Sequence, residues 1–265
     1  MKSYLGMFKM SFKGELQYRA KAISGVLTQF FWGIMYVYLY TAFMGGDVID
    51  GFSIAQMASY VWLGQAFFAL RYIDVPPNSA KEIENGDVCY KFTKPIDLYN
   101  QWFAENLGYK LSSALLRSPL IIIVSLLLPS SCGLMLPVSF PAFVLFVVAL
   151  IVGVFTMCAI AMIAVALIFK TVSAKGVVTI VHTVTGLLGG LFIPLPLMPE
   201  AVQNVLNYLP FRFITDLPLR IYIGNVSCLS ALMYIGIALV WLVALIAIGK
   251  LLLKKATRNV VIQGG

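Results

Sequence analysis

The strongest constraint on the fold is the segment 143–169, an apolar run without a single charged side chain. A helix that crosses the hydrocarbon core of a bilayer needs about 20 mainly apolar residues. Five further runs of this kind give the predicted spans 22–46, 54–73, 112–136, 143–169, 177–193 and 229–253. Only 11% of the 265 residues are charged, and the mean hydropathy is +0.91. We expect an all-α polytopic membrane protein with about six transmembrane helices in one domain, residues 1–265.

The distribution of basic residues predicts the orientation of these spans. If both termini are cytoplasmic, Arg212 and Arg220 are the only ones of the 19 Lys and Arg residues that lie in outer segments. Basic residues accumulate on the cytoplasmic side of membrane proteins, so both termini are predicted to be cytoplasmic. Arg71 counts as a cytoplasmic flank of the second span in this scheme. The net charge of +8 therefore borders the membrane, and no nucleic-acid partner is predicted.

Residues 1–21, before the first span, combine basic residues with a periodic apolar pattern. Tyr4, Leu5, Phe8, Phe12 and Leu16 recur at three- and four-residue spacing. This pattern predicts an amphipathic helix that lies in the inner membrane interface. The alternative is a basic leader that sets topology and whose apolar residues are incidental.

The segment 194–227 is too apolar for a solvated loop and too rich in proline for a spanning helix. It predicts short re-entrant helices in the outer leaflet, whose backbone is buried against protein. One of them is expected to begin at Pro199, since proline is favoured at a helix start. The alternative is an outer loop that rests on the membrane surface.

The segment 74–100 is an internal loop that is unusually charged for this chain. Ser79, followed by Glu82 three residues later, has the spacing of a capping box and predicts the start of a short helix. Gly86 is expected to end that helix. The sequence thus predicts a short amphipathic helix on the cytoplasmic side, between spans two and three.

Motifs for catalysis or metal binding are not found in the sequence. It contains no P-loop, HExxH or GxSxG pattern, no CxxC pair, and no Asp or Glu in the middle of a predicted span. The single histidine, His182, is interpreted as a packing residue of span five. A disulfide between Cys132 and Cys228 is left open, with unpaired cysteines favoured. We therefore predict no catalytic residue, no metal site and no cofactor bound by this chain.

A few polar residues lie inside predicted spans, and Gln29, Gln65 and Thr183 are the candidates for a substrate path. Polar side chains at such positions commonly link neighbouring helices by hydrogen bonds. They can equally line an adaptable path for an amphipathic molecule, and the sequence leaves both roles open.

Two sequence patterns carry a family resemblance that covers nearly the whole chain. The first follows span two and consists of Ile83, Gly86 and Pro95. The second precedes span six and comprises Gly190, Ile193, Pro194, Leu195, Met198, Pro199, Tyr208, Leu209, Pro210, Phe211, Pro218, Ile221, Tyr222 and Gly224. With these patterns and the basic leader, the chain resembles the ABC-2 (type-2 exporter) permease subunits of ATP-binding-cassette transporters. Tyr90, Lys91 and Phe92 depart from the leucine-like residues expected before Pro95, which affects the register of the loop.

The resemblance implies a function and a set of partners. A six-helix permease of the cytoplasmic membrane would pair with a second permease, identical or paralogous, and bind two soluble ATPase subunits that hold ATP and Mg²⁺. The coupling helix that contacts the ATPase would comprise Lys81, Glu82, Ile83, Glu84, Asn85, Gly86 and Asp87. The outer-leaflet gate would comprise Pro194, Pro199, Pro210 and Phe211.

The expected cargo is a hydrophobic or amphipathic compound such as a drug, peptide, lipid or glycan. Two other functions remain as alternatives: an ion-coupled secondary transporter or channel, and a non-transporting membrane scaffold. An ion-coupled transporter or channel would be expected to contain an internal repeat or carboxylates in the middle of its spans. The second would be purified without an ATPase.

Overall fold

The computed structural model describes residues 2–45, 52–129, 131–171 and 173–258, and its architecture is helical. The helices are α1 (Lys2–Leu16), α2 (Arg19–Met44), α3 (Ile54–Ala66), α4 (Phe68–Arg71), α5 (Ser79–Glu84), α6 (Cys89–Phe92), α7 (Leu98–Leu126), α8 (Phe140–Thr171), α9 (Ala174–Leu188), α10 (Glu200–Leu206), α11 (Pro210–Thr215), α12 (Leu217–Tyr222) and α13 (Cys228–Thr257). A 3₁₀ turn, Leu195–Leu197, precedes α10.

Four of the described helices, α2, α7, α8 and α13, are long and apolar enough to cross a membrane. The all-α polytopic class is thus supported. The predicted second span is divided at Phe67 into α3 and α4, and the predicted fifth span contains the 15-residue helix α9. A total of six spans therefore stays a prediction.

The predicted boundaries of the third span differ from the observed helix. α7 begins at Leu98, where the Asp97 side chain caps it by accepting a hydrogen bond from the Asn100 N–H at 2.8 Å. It therefore starts well before residue 112, inside the predicted loop 74–100. Pro119 lies within α7 without ending it, and the helix stops at Leu126, before the predicted end at residue 136.

α8 is the central helix of the bundle and packs along α13. Its inward face is rich in small residues, which allow neighbouring backbones to approach closely. Near its middle, a Cβ placed on Gly153 would lie 3.0 Å from the carbonyl oxygen of Phe213. Farther toward its start, the Phe146 ring meets the Tyr222 ring with centroids 5.2 Å apart. Helices α11 and α12 thus lie against the body of a spanning helix.

Short helices are present in the segment 194–227, as predicted, and their re-entrant arrangement in the membrane stays a prediction. The helix expected to begin after Pro199 is confirmed, since α10 runs from Glu200 with Pro199 at its N-cap. Pro210 and Pro218 occupy the first turns of α11 and α12, where a missing backbone N–H is tolerated. The position of these helices in the outer leaflet stays a prediction.

The predicted N-terminal helix is present as α1, and a break at Gln17 and Tyr18 separates it from α2. It packs on α7. The Ser11 hydroxyl donates to the Glu105 carbonyl at 2.7 Å, and the Tyr4 hydroxyl accepts from the Asp97 N–H at 3.2 Å. Part of the apolar stripe therefore contacts protein, whereas Leu5 remains exposed. Its location in the membrane interface stays a prediction.

The contact between α1 and α7 depends on Gly108, where an added Cβ would lie 2.5 Å from the Phe8 carbonyl oxygen. We expect Gly108→Leu to separate α1 from α7 at a cost of about 1–3 kcal/mol, because the obstructing atom is backbone. Faster amide hydrogen exchange in α1 would report the separation. Gly14→Ala is the control, since nothing lies within 4 Å of its Cβ position. Equal exchange in the two variants would contradict the proposed packing.

The predicted N-cap of the loop helix is wrong. Asn78, in the left-handed region with φ 66°, occupies the N-cap of α5, and Ser79 is the first helical residue. The Ser79 hydroxyl is buried and donates to the Pro76 carbonyl at 2.7 Å, so it is not available for a capping box with Glu82. The predicted stop at Gly86 is confirmed: its φ is 80°, and its N–H donates to the Ile83 carbonyl at 3.3 Å. All four cysteines are unpaired.

Candidate functional site

A cavity of ≈ 370 Å³ lies between α2, α3, α4, the middle of α9 and the residues that follow α9. Gln29 and Gln65, both predicted for the substrate path, line this cavity. Thr183, the third candidate, is exposed and is not part of the wall, whereas its neighbour His182 is. The structure therefore brings two of the three predicted path residues together.

The wall of the cavity is largely aromatic. On one face of α2, Trp32 and Tyr36 stack with ring centroids 5.6 Å apart, and Tyr36 and Tyr40 stack at 5.5 Å. Such a ladder follows from four-residue spacing on a helix. His182 packs against the rings of Tyr72 and Phe192, at centroid distances of 4.1 and 5.7 Å, in keeping with the predicted packing role. The cavity suits a molecule with an apolar body.

A buried ion cluster lies next to this cavity. The Asp216 carboxylate is fully buried and accepts from the Arg212 Nε–H at 3.1 Å, the Arg220 Nε–H at 3.1 Å and the Tyr60 hydroxyl at 2.9 Å. Tyr60 also lines the cavity. Both carboxylate oxygens are thus engaged, which is the condition under which a buried ion pair is tolerated.

The sequence-based placement of these charges in the outer segments gave no indication of their burial. The count of basic residues predicts only that Arg212 and Arg220 lie in outer segments, and it gives no information on Asp216. The structure places Asp216 against Tyr60, about two turns into α3, because α11 and α12 fold back into the bundle. A signal was present in the sequence: Arg212, Asp216 and Arg220 recur at four-residue spacing in an otherwise apolar segment.

Arg71 is a second residue whose burial the count of basic residues does not predict. Its predicted position is a cytoplasmic flank of span two, and in the structure it is 6% exposed and lines the aromatic cavity. The side chain approaches α3: a Cβ on Gly64 would lie 2.4 Å from Arg71 Nη1. Among the described residues, its Nε has no hydrogen-bond partner.

A second, polar cavity of ≈ 440 Å³ lies on the other side of the ion cluster. Its wall includes Arg212, Arg220, Gln203 and Asn207. Since Tyr60 lines the aromatic cavity and the two arginines line the polar one, the cluster around Asp216 separates the two spaces.

The predicted gate residues are not all at one place. Pro194 lines the aromatic cavity. Pro199 caps α10, whereas Pro210 begins α11 and Phe211 packs against the core around α8 and α13. Only Pro194 is therefore placed to contact a molecule in this cavity.

The predicted coupling residues divide into an anchored group and an exposed group. Ile83 is buried, Glu82 pairs with Lys91 at 2.7 Å, and the Glu84 carboxylate accepts from the Ala174 N–H at 2.9 Å, where α9 begins. The remaining predicted residues Lys81, Asn85, Gly86 and Asp87 are exposed. Tyr90, which the prediction omitted, is 75% exposed.

We call Lys81, Asn85, Asp87 and Tyr90 the loop tip. The anchors attach the tip to the bundle, because Ile83 and Val88 pack in a cluster with Ile168, near the end of α8. These residues pack near Leu253 at the end of α13, whereas α10 shares the polar cavity with Ser227 and Ser230 at the start of α13. The tip and α10 therefore lie at opposite ends of the bundle.

These features define a polytopic helical membrane protein with a largely aromatic cavity and an exposed, anchored loop. The family described as ABC-2 family transporter protein matches residues 29–264. The chain belongs to this family of membrane transporters, as the resemblance implied. A comparison with curated proteins found no match.

Proposed function

We propose that this chain is the membrane permease of an ATP-binding-cassette exporter, in which separate ATPase subunits supply the energy. Two such subunits and a second permease, identical or paralogous, would complete the transporter in the cytoplasmic membrane, with both chain termini cytoplasmic. The observation that carries this proposal is the loop tip. It is exposed, charged and anchored in a chain whose family is that of ABC-2 transporters.

The anchoring of the tip suggests how movement of an ATPase would reach the cavity. Glu84 binds the N-terminal end of α9 through the Ala174 N–H. At the other end of α9, the Thr215 hydroxyl of α11 donates to the Gly189 carbonyl. Helix α9 thus connects the loop to α11, which carries Arg212 of the ion cluster. A shift of the tip would be transmitted along α9 to the partition between the two cavities.

The aromatic cavity supports a hydrophobic or amphipathic cargo, because large apolar rings surround a few polar groups. For transport, the cavity would have to open first to one side of the membrane and then to the other. This change would require the ion cluster to rearrange. The carboxylate of Asp216 is held by two arginines and a tyrosine. A carboxylate held in this way suits a structural role in the wall between the two cavities. A proton-coupled carrier instead uses a free carboxylate that can bind and release a proton.

Co-purification tests the proposal. The full-length chain, tagged and produced together with a soluble ATP-binding-cassette ATPase from the same genome, is expected to retain that ATPase in neutral detergent. Retention should persist through size-exclusion chromatography. Isolation of the chain free of ATPase would favour the ion-coupled carrier, the channel or the scaffold instead.

A further inference from the structure

The Arg71 guanidinium is a buried cation that faces a cavity, and the part of the chain that the structure describes provides no ion pair for it. An arginine side chain stays charged in proteins, and an uncompensated buried charge is costly. The residue is 6% exposed and lines the aromatic cavity. Among the described residues, no carboxylate comes within ion-pair distance of it, and its Nε lacks an acceptor.

The nearby carboxylate of Asp216 does not neutralise the positive charge of Arg71. Both oxygens of Asp216 already accept hydrogen bonds from Arg212, Arg220 and Tyr60. The phenol groups of Tyr40 and Tyr60, which share the cavity with Arg71, are neutral at physiological pH. A ligand that brings its own negative charge would therefore stabilise the site.

We propose that Arg71 binds the oxyanion head group of an anionic amphiphile, a carboxylate or phosphate joined to an apolar body. The guanidinium presents a fork of N–H donors that matches both head groups. The amides of Gln29 and Gln65 line the same cavity and add donors, and the ladder from Trp32 to Tyr40 faces the apolar body. A volume of ≈ 370 Å³ suits a small molecule. This inference rests on the proposed export function, for which it names the class of cargo.

Binding can be measured on the purified full-length chain without an ATPase, because Trp32 lines the cavity. The probes are 11-bromoundecanoate and 11-bromoundecyl phosphate, whose bromine quenches tryptophan fluorescence. The neutral 11-bromoundecanol serves as the uncharged probe, and inorganic phosphate as a head group without an apolar body. We expect saturable quenching by at least one anionic probe, much weaker binding of the alcohol, and no competition by inorganic phosphate at equal concentration.

Arg71→Gln is expected to weaken binding of the anionic probes about tenfold or more, since a hydrogen bond to a charged group is lost. Arg71→Lys keeps the charge but not the fork and is expected to lose less. Arg117→Gln is the matched control, because the buried Arg117 Nε also has no hydrogen-bond partner among the described residues, and Arg117 does not line the cavity. The control should bind like the unchanged protein.

If Arg71→Gln does not fold, Gly64→Ala provides the test. Its new Cβ would lie 2.4 Å from Arg71 Nη1, so it displaces the guanidinium while the charge remains, and it should also weaken binding of the anions. A preference for the carboxylate probe would indicate a fatty-acid-like cargo, and a preference for the phosphate probe a lipid phosphate.

Equal affinity of the unchanged protein and Arg71→Gln for the anions would overturn the inference. So would binding of the alcohol as tight as that of the anions, or equally effective competition by inorganic phosphate. Because no ATPase takes part, such a result would leave the proposed permease function intact. Failure of the co-purification would in turn leave the binding result intact.

Discussion

Asp216→Asn is expected to destabilise the protein more than any other single change considered, by about 3–5 kcal/mol. The substitution removes the charge that Arg212 and Arg220 share at 3.1 and 3.0 Å, and both cations stay buried. Removing one partner of a buried ion pair costs more than the pair contributes, because an uncompensated charge remains. A thermal unfolding midpoint about 10 °C lower, measured in neutral detergent, is the expected size of the effect.

Glu200→Gln is the control for this prediction, since Glu200 is an exposed carboxylate of α10 in the same segment. Its unfolding midpoint is expected to stay close to that of the unchanged protein. Adding Arg212→Met to Asp216→Asn should recover part of the lost stability, because one of the unpaired cations is then removed. An Asp216→Asn variant as stable as Glu200→Gln would show that the cluster does not hold α11 and α12 in the bundle.

The combined change Asp87→Lys and Tyr90→Ala is expected to abolish retention of the ATPase while leaving folding unchanged. Both side chains are exposed and belong to the loop tip, so their replacement should move the unfolding midpoint little. Reversal of a charge and loss of an aromatic side chain remove the kinds of contacts that dominate interfaces. Co-purification and thermal unfolding of the same preparation would measure both effects.

The matched control makes the same pair of changes at the other end of the bundle, as Glu200→Lys and Tyr208→Ala. Tyr208 is 63% exposed, and this variant should retain the ATPase. Glu82 and Glu84 are less suitable positions for the test, because they bind Lys91 and the start of α9. Retention by the tip variant equal to that of the control would place the ATPase contact elsewhere.

The helical class and the main helices of this protein were predictable because the strongest signal, the length of the apolar runs, can be read directly from the sequence. Apolar runs of spanning length are visible in the sequence without knowledge of packing, and α2, α8 and α13 fall in such runs. Proline and glycine act locally, so Pro199 and Gly86 marked helix ends correctly. Ser79 did not cap α5, because burial directed its hydroxyl to the Pro76 carbonyl.

The interior charges were not predictable by counting basic residues. That count treats every arginine as a marker of topology, whereas Arg71 and Arg212 are buried because of how α4 and α11 fold against α3 and α8. Gln29 and Gln65 were identified because amides inside apolar runs are conspicuous. Arg71 was missed because it lies at the end of such a run, where a basic residue is usual.

ATP turnover in reconstituted membranes tests most directly the proposal that separate ATPase subunits drive transport by this chain. The purified complex, placed in proteoliposomes, is expected to hydrolyse ATP at a rate that rises on addition of 11-bromoundecanoate or 11-bromoundecyl phosphate. The ATPase mixed with the Asp87→Lys, Tyr90→Ala permease should show only the rate of the ATPase alone. An ATPase rate that is the same with the unchanged permease, with the tip variant and without any permease would contradict the claim.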